Sequence, residues 1–127
     1  MPAPRSFDYA LLRVVPRVER GEFVNAGAIL FCSEADYLAA RVVLEPARLR
    51  ALWPEVDLVV VEAHLRAIPR IAAGGAEAGP IGRLSRRERW HWLVAPRSTI
   101  LQPGPVHSGL CEDPEAALDR IVEAMVR

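Results

Sequence analysis

DYALLRVVPRVERGEFVNAGAILFC, residues 8–32, is the stretch that decides the fold. Its flanks, Asp8 to Val18 and Ala26 to Cys32, are rich in β-branched, aromatic and aliphatic side chains, the composition of strands. Between them ERGEFVNAG is charged and carries Gly21 and Gly27, the flexible points that a chain reversal needs. Both faces of the first run are largely apolar, which places that strand centrally in its sheet. Pro16 lacks a backbone donor, so pairing is expected to weaken or bulge near the end of the strand. A turn at Ser33 to Asp36 and a third run from Tyr37 to Glu45 extend the pattern. Three consecutive strands with short connections predict an antiparallel meander over about residues 8–45, since parallel pairing requires a long crossover.

Beyond the meander the pattern turns helical, over about residues 46–73. Pro46 suits a first helical position, and Leu49, Leu52 and Trp53 follow at spacings of three and four before Pro54. Asp57 is placed to cap a longer helix with Leu58, Val61, Leu65, Ile68 and Ala72 on one stripe, and Pro69 is expected to kink or end it. The small residues of 72–82, AAGGAEAGPIG, predict a flexible loop within the domain rather than a boundary. Ser85 and Glu88 stand at capping-box spacing and predict a helical turn there. From Trp90 the alternation of Trp90, Trp92 and Val94 with His91, Leu93 and Ala95 favours a strand over a continued helix. Strands and a proline-rich loop then fill about residues 90–109. Asp113, Pro114 and Glu115 open a C-terminal helix over about 114–126, with Leu118, Ile121, Val122 and Met125 as its apolar stripe.

The expectation is one domain of 127 residues, large enough for a core without staples. Its class is α+β: an antiparallel sheet of four or five strands, with the central and C-terminal helices packed mainly on one face. With 16 basic and 16 acidic residues the formal charge is zero, so no global field draws the chain towards nucleic acid or an anionic membrane. Every basic residue is arginine, as GC-rich codon usage produces; selection for anion recognition would also produce it if the arginines converged on one place. The N-terminal MPAPRSFDY has no apolar signal core, and the longest run with few charges, around Leu58 to Ile71, holds Glu62, His64, Arg66 and Arg70. A cytoplasmic protein with Cys32 and Cys111 reduced is expected.

Three segments could carry chemistry. Arg17, Glu19, Arg20, Glu22 and Asn25 interleave cations and carboxylates at a strand end, as a docking surface, an anion site or a solvated hairpin tip would. In residues 95–109, prolines restrict a backbone that presents Arg97, Ser98, Gln102, His107 and Ser108. A hydrolase would use Ser98 or Ser108 as nucleophile and His107 as base, but no GxSxG elbow accompanies them, and a loop closing the sheet edge accounts for the same residues. Arg83, Arg86, Arg87 and Arg89 beside Trp90, His91 and Trp92 combine phosphate-pairing forks with stacking rings, the means of single-strand nucleic-acid or phosphate binding, though Trp90 and Trp92 also suit a core strand. The scattered Cys32, His64, His91, His107 and Cys111 have no metal-ligand spacing, and the glycines of 74–82 lack the spacing and lysine of a phosphate loop. No metal or cofactor is inferred.

Two segments, FDYALLRVVPRVERGEFVNAGAILF and WLVAPRSTILQPGPVHSGL, together resemble the bacterial family known as domain of unknown function 3037. The resemblance covers nearly the whole chain and implies an accessory protein, a partner of a HipA-like kinase, with no catalytic activity to carry over. The leading expectation is a protein-interaction module that docks through residues 17–25. Its site would gather Arg17, Glu19, Arg97 and His107, if strand 1 and the 95–109 segment are neighbours.

Overall fold

The computed structural model describes residues 3–127. Strand β1 (Arg5–Val14) occupies the centre of a five-stranded antiparallel sheet. On one side it pairs with β2 (Val24–Cys32), which in turn pairs with β3 (Tyr37–Val42). On the other side two short strands share its length. β4 (Leu101–Pro103) pairs with Leu12 to Val14, and β5 (His107–Cys111) pairs with Arg5 to Tyr9. The helices are α1 (Pro46–Leu52), α2 (Leu58–Ala73), α3 (Arg86–Val94) and α4 (Pro114–Met125). The early strands thus form the antiparallel meander, and the fold is α+β.

A bulge in β2 governs how its side chains are distributed. Leu12 faces Gly27 and Arg13 faces Asn25, so Ala26 is an extra residue between them. One extra residue reverses which side each subsequent side chain occupies. Ile29 and Phe31 therefore share a core with Ala26, whereas Ala28, Leu30 and Cys32 belong to the opposite core. The bulged Ala26 carbonyl still finds a donor, Val43 N at 2.8 Å.

The sheet is covered on both faces. Leu49 of α1, the stripe Val61, Leu65, Ile68 and Ala72 of α2, and Trp90 and Leu93 of α3 pack on Leu12, Val14, Ile29 and Phe31. The opposite face buries Phe7, Leu30, Cys32 and Cys111 against Ala117, Leu118, Ile121 and Val122 of α4. Three of the four α-helices thus share a face, and α4 corrects the expectation that the C-terminal helix joins them. The cause is β2, whose inner half is buried on both sides, so a second layer must cover the second face. Arg41 of β3 ties that layer down through ion pairs with Glu115 and Asp119. Gly109 of β5 leaves room for the Phe7 ring, which lies 2.7 Å from where a β-carbon would stand.

Residues 90–94 are helical, not a strand. The Ser85–Glu88 capping box is fully formed and starts α3, and the helix buries Arg89, Trp90 and Leu93 while Trp92 stays partly exposed. The alternation of tryptophans is accidental to a helix whose buried stripe runs 89, 90, 93. Pro69 does not end α2, because Ile71 and Ala72 beyond it are held in the core. Residues 76–83 form 3-10 turns kinked at Gly79, where only a loop was expected. The third strand stops at Val42, short of Glu45. Residues 107–109, expected at the end of a proline-pinned loop, instead open strand β5, which runs on to Cys111.

Candidate functional site

The hairpin tip between β1 and β2 is ordered by its own charges. Val18–Arg20 form one 3-10 turn closed by Gly21, whose φ of 70° is the left-handed conformation that glycine tolerates. Arg17 Nε donates to Glu19 Oε1 at 2.8 Å, and Arg20 Nε donates to Glu22 Oε1. Backbone donation and the Arg17 bond lower the Glu19 pKa. The bond from Arg20 lowers that of Glu22, and Glu22 in return raises that of Arg20. All four side chains are about half exposed or more, so each pair is a screened surface contact that neutralises itself. Asn25 turns inward and donates to the Met125 carbonyl at the end of α4, at 3.2 Å.

Beside this tip the two segments of interest meet. A cleft of about 290 Å³ lies between Arg13, Val15, Val18, Gly21 and Phe23 on one side and Arg97, Ser98 and Gln102 on the other. The pairing of Arg13 with Gln102 across β1 and β4 draws the second segment to the first, and Val15 N donates to the Ile100 carbonyl at 2.7 Å. Each arginine rests on an aromatic ring. The Arg13 guanidinium carbon is 4.1 Å from the Phe23 ring centre, and that of Arg97 is 4.2 Å from the Trp92 ring centre. Arg97 also donates to the Trp92 carbonyl, and burial pulls its pKa below the ordinary arginine value. Among the described residues the buried Arg13 Nε has no hydrogen-bond partner. Among the described residues neither guanidinium forms an ion pair. Gln102 is held by its own donation to the Thr99 carbonyl at 2.8 Å.

Of the residues singled out from sequence, Arg97, Ser98 and Gln102 line the cleft, while Arg17, Glu19, Arg20 and Glu22 remain paired at the tip. His107 is not with them. It faces Tyr9 across β1 and β5, with ring centres 5.5 Å apart. Ser108, its neighbour on the strand, projects to the other face of the sheet and donates to Asp8 Oδ1 at 2.6 Å. Histidine and serine are therefore separated by the sheet itself, and no nucleophile–base pair is assembled at β5. Arg13, Val15, Val18 and Phe23 line the cleft without having been singled out from sequence. The signal for Arg13 was available: it is the charged side chain within the apolar run ALLRVV, residues 10–15.

The 83–92 segment does not present an open row of cations and rings. Trp90 is buried against Phe31, with ring centres 5.7 Å apart, and Arg89 is buried and donates to the Ala72 and Leu84 carbonyls. Arg86 pairs with Asp36 at 3.5 Å, and Arg87 bonds Ser33 Oγ at 3.0 Å. Cys32 and Cys111 are free and buried, and burial raises the Cys111 pKa. Among the described residues no group of three or more His, Cys, Asp or Glu could hold a metal ion, and no helix is long and apolar enough to cross a membrane.

No curated protein and no solved structure matches the chain. The match is instead to a family model that spans residues 9–126 and so includes the tip, the cleft and all four helices. The chain belongs to the family described as protein of unknown function, DUF3037.

Proposed function

We propose that this protein is an interaction module that docks a protein partner through the hairpin tip and the cleft beside it. The observation that carries this reading is the exposure of Val18 and Phe23, at 44% and 42%, flanked by ion pairs that cancel their own charge. Apolar side chains ringed by polar groups on a rigid support are the anatomy of a recognition surface. Central aromatic anchors supply most of the energy of such contacts, and rim charges set register and partner choice. The partner implied by the family resemblance is a HipA-like kinase, which would make the module an accessory to phosphoryl transfer performed elsewhere.

The test is co-purification with a HipA-like kinase, the partner that the family resemblance implies, using the double variant R17E/R20E. Reversal places like charges at Arg17/Glu19 and Arg20/Glu22, so the tip loses both internal pairs and its rim changes sign. Capture of the kinase should fall several-fold while the melting temperature stays nearly unchanged, because these side chains are exposed. Equal capture by wild type and variant would remove the tip from the interface.

A further inference from the structure

We propose that the cleft between Arg13 and Arg97 is a binding site for a phosphomonoester. This goes beyond the docking reading and does not depend on it, since it concerns the isolated protein and a small ligand. The starting point is charge. Arg13 and Arg97 come from distant parts of the chain and line one cleft, yet no carboxylate of the described residues pairs with either. The acids of the adjoining tip, Glu19 and Glu22, are already bound to Arg17 and Arg20. Both guanidinium groups are held in place by stacking on Phe23 and Trp92, so a ligand would meet them pre-organised.

Two uncompensated cations select a dianion. A phosphoryl group carries close to two negative charges at neutral pH, with three acceptor oxygens, whereas a carboxylate would leave one cation unbalanced. Arginine forks match phosphate oxygens two at a time, and Ser98 adds a hydroxyl donor on the same wall. Burial of Arg97 strengthens the case, because a partly desolvated cation gains more from an anionic partner than an exposed one. The cleft, at about 290 Å³, is larger than a phosphate ion needs. Its remaining walls, Val15, Val18 and Phe23, are apolar and would take the organic part of the ester. The ester could be a free metabolite or a phosphorylated side chain, and the chemistry of recognition is the same for both.

The experiment is a titration of the isotopically labelled protein, followed by NMR of the arginine Nε–H groups, with four probes: inorganic phosphate, phenyl phosphate, benzoate and a phosphoserine peptide. Phosphate and phenyl phosphate should shift the Arg13 and Arg97 signals saturably, with phenyl phosphate the tighter and benzoate at least about tenfold weaker. R13Q and R97Q should each weaken phenyl phosphate by about tenfold or more. Their fold is checked by unchanged shifts of the α4 amides, and the wild-type ranking of probes stands even if one variant unfolds. A peptide tighter than phenyl phosphate would assign the site to protein-borne phosphate, and a weaker one to a free ester. Equal shifts from benzoate and phenyl phosphate, no saturable shift, or shifts confined to Arg86 and Arg87 would overturn the proposal.

Discussion

At the scale of single residues, Arg89 is held firmly, away from the cleft. Its guanidinium is buried, has no acidic partner among the described residues, and donates to Ala72 O at the end of α2 and Leu84 O before α3, stapling the two helices across the intervening turns. Gly74 makes room for it. Its φ of 79° with ψ of 179° is a conformation essentially reserved for glycine, and a β-carbon there would stand 2.8 Å from Arg89 Cζ. Gly75 has a comparable backbone, at φ 102° and ψ 179°, but open space around it. Gly74→Ala is expected to cost roughly 1–3 kcal/mol from the backbone alone, plus displacement of Arg89. Gly75→Ala should carry only the backbone part. Urea unfolding of the pair measures the difference, and equal losses would show that Arg89 yields freely. Such roles were invisible in sequence, where Arg89 belonged to a run of surface-like arginines and Gly74 to a flexible loop. Burial of an arginine is decided by tertiary contacts that local composition does not encode.

At the scale of elements, capping signals were the most legible. Asp57, Ser85 and Asp113 each accept from backbone N–H groups of the helix they open, at positions their spacing predicted. Over 90–94 the side-chain alternation misleads, because the capping box that precedes it sets a helix. Ser85→Ala should destabilise the protein by about 1 kcal/mol, observable as a lower urea midpoint. Glu88 gives a pH signature for the same box. Ser85, by side chain and backbone, lowers the Glu88 pKa below its ordinary 4.5. A carboxyl whose folded pKa is depressed contributes stability that is complete above 4.5 and vanishes as pH falls through the lowered folded value. Glu88→Gln removes that contribution at every pH. The melting temperature of the variant should therefore lie below that of wild type at pH 7 and converge with it in acid. Parallel curves would mean that the carboxylate form of Glu88 does not hold the box. The short strands β4 and β5 escaped a clear reading because three and five residues are too few to show a period.

At the scale of the whole molecule, two layers depend on one sheet. Leu118 of α4 and Leu93 of α3 are both fully excluded from solvent, on opposite faces of β1 and β2. Leu118→Ala is expected to cost about 2–5 kcal/mol, a large share of the roughly 5–15 kcal/mol that holds a typical domain together. Because β2 is buried from both sides, the loss should lower the single unfolding midpoint, and α4 should not peel off first. Hydrogen exchange of the β2 amides, monitored together with those of α4, distinguishes these outcomes. Sequence showed that the central strands were apolar on both sides but did not reveal which helix would cover which side. The meander itself was legible because its strands are long and joined by short turns.

The extra residue in β2 has a further consequence. Ala26 sits between the tip and the long inner half of the strand, so it works as a phase reset. Chain on the tip side can lengthen or shorten without disturbing the order of the two cores. A single insertion or deletion on the far side would instead exchange Ile29 and Phe31 with Ala28 and Leu30, turning the protein inside out. Variation in length should therefore be tolerated where the molecule meets its surroundings and forbidden a few residues further along the same strand.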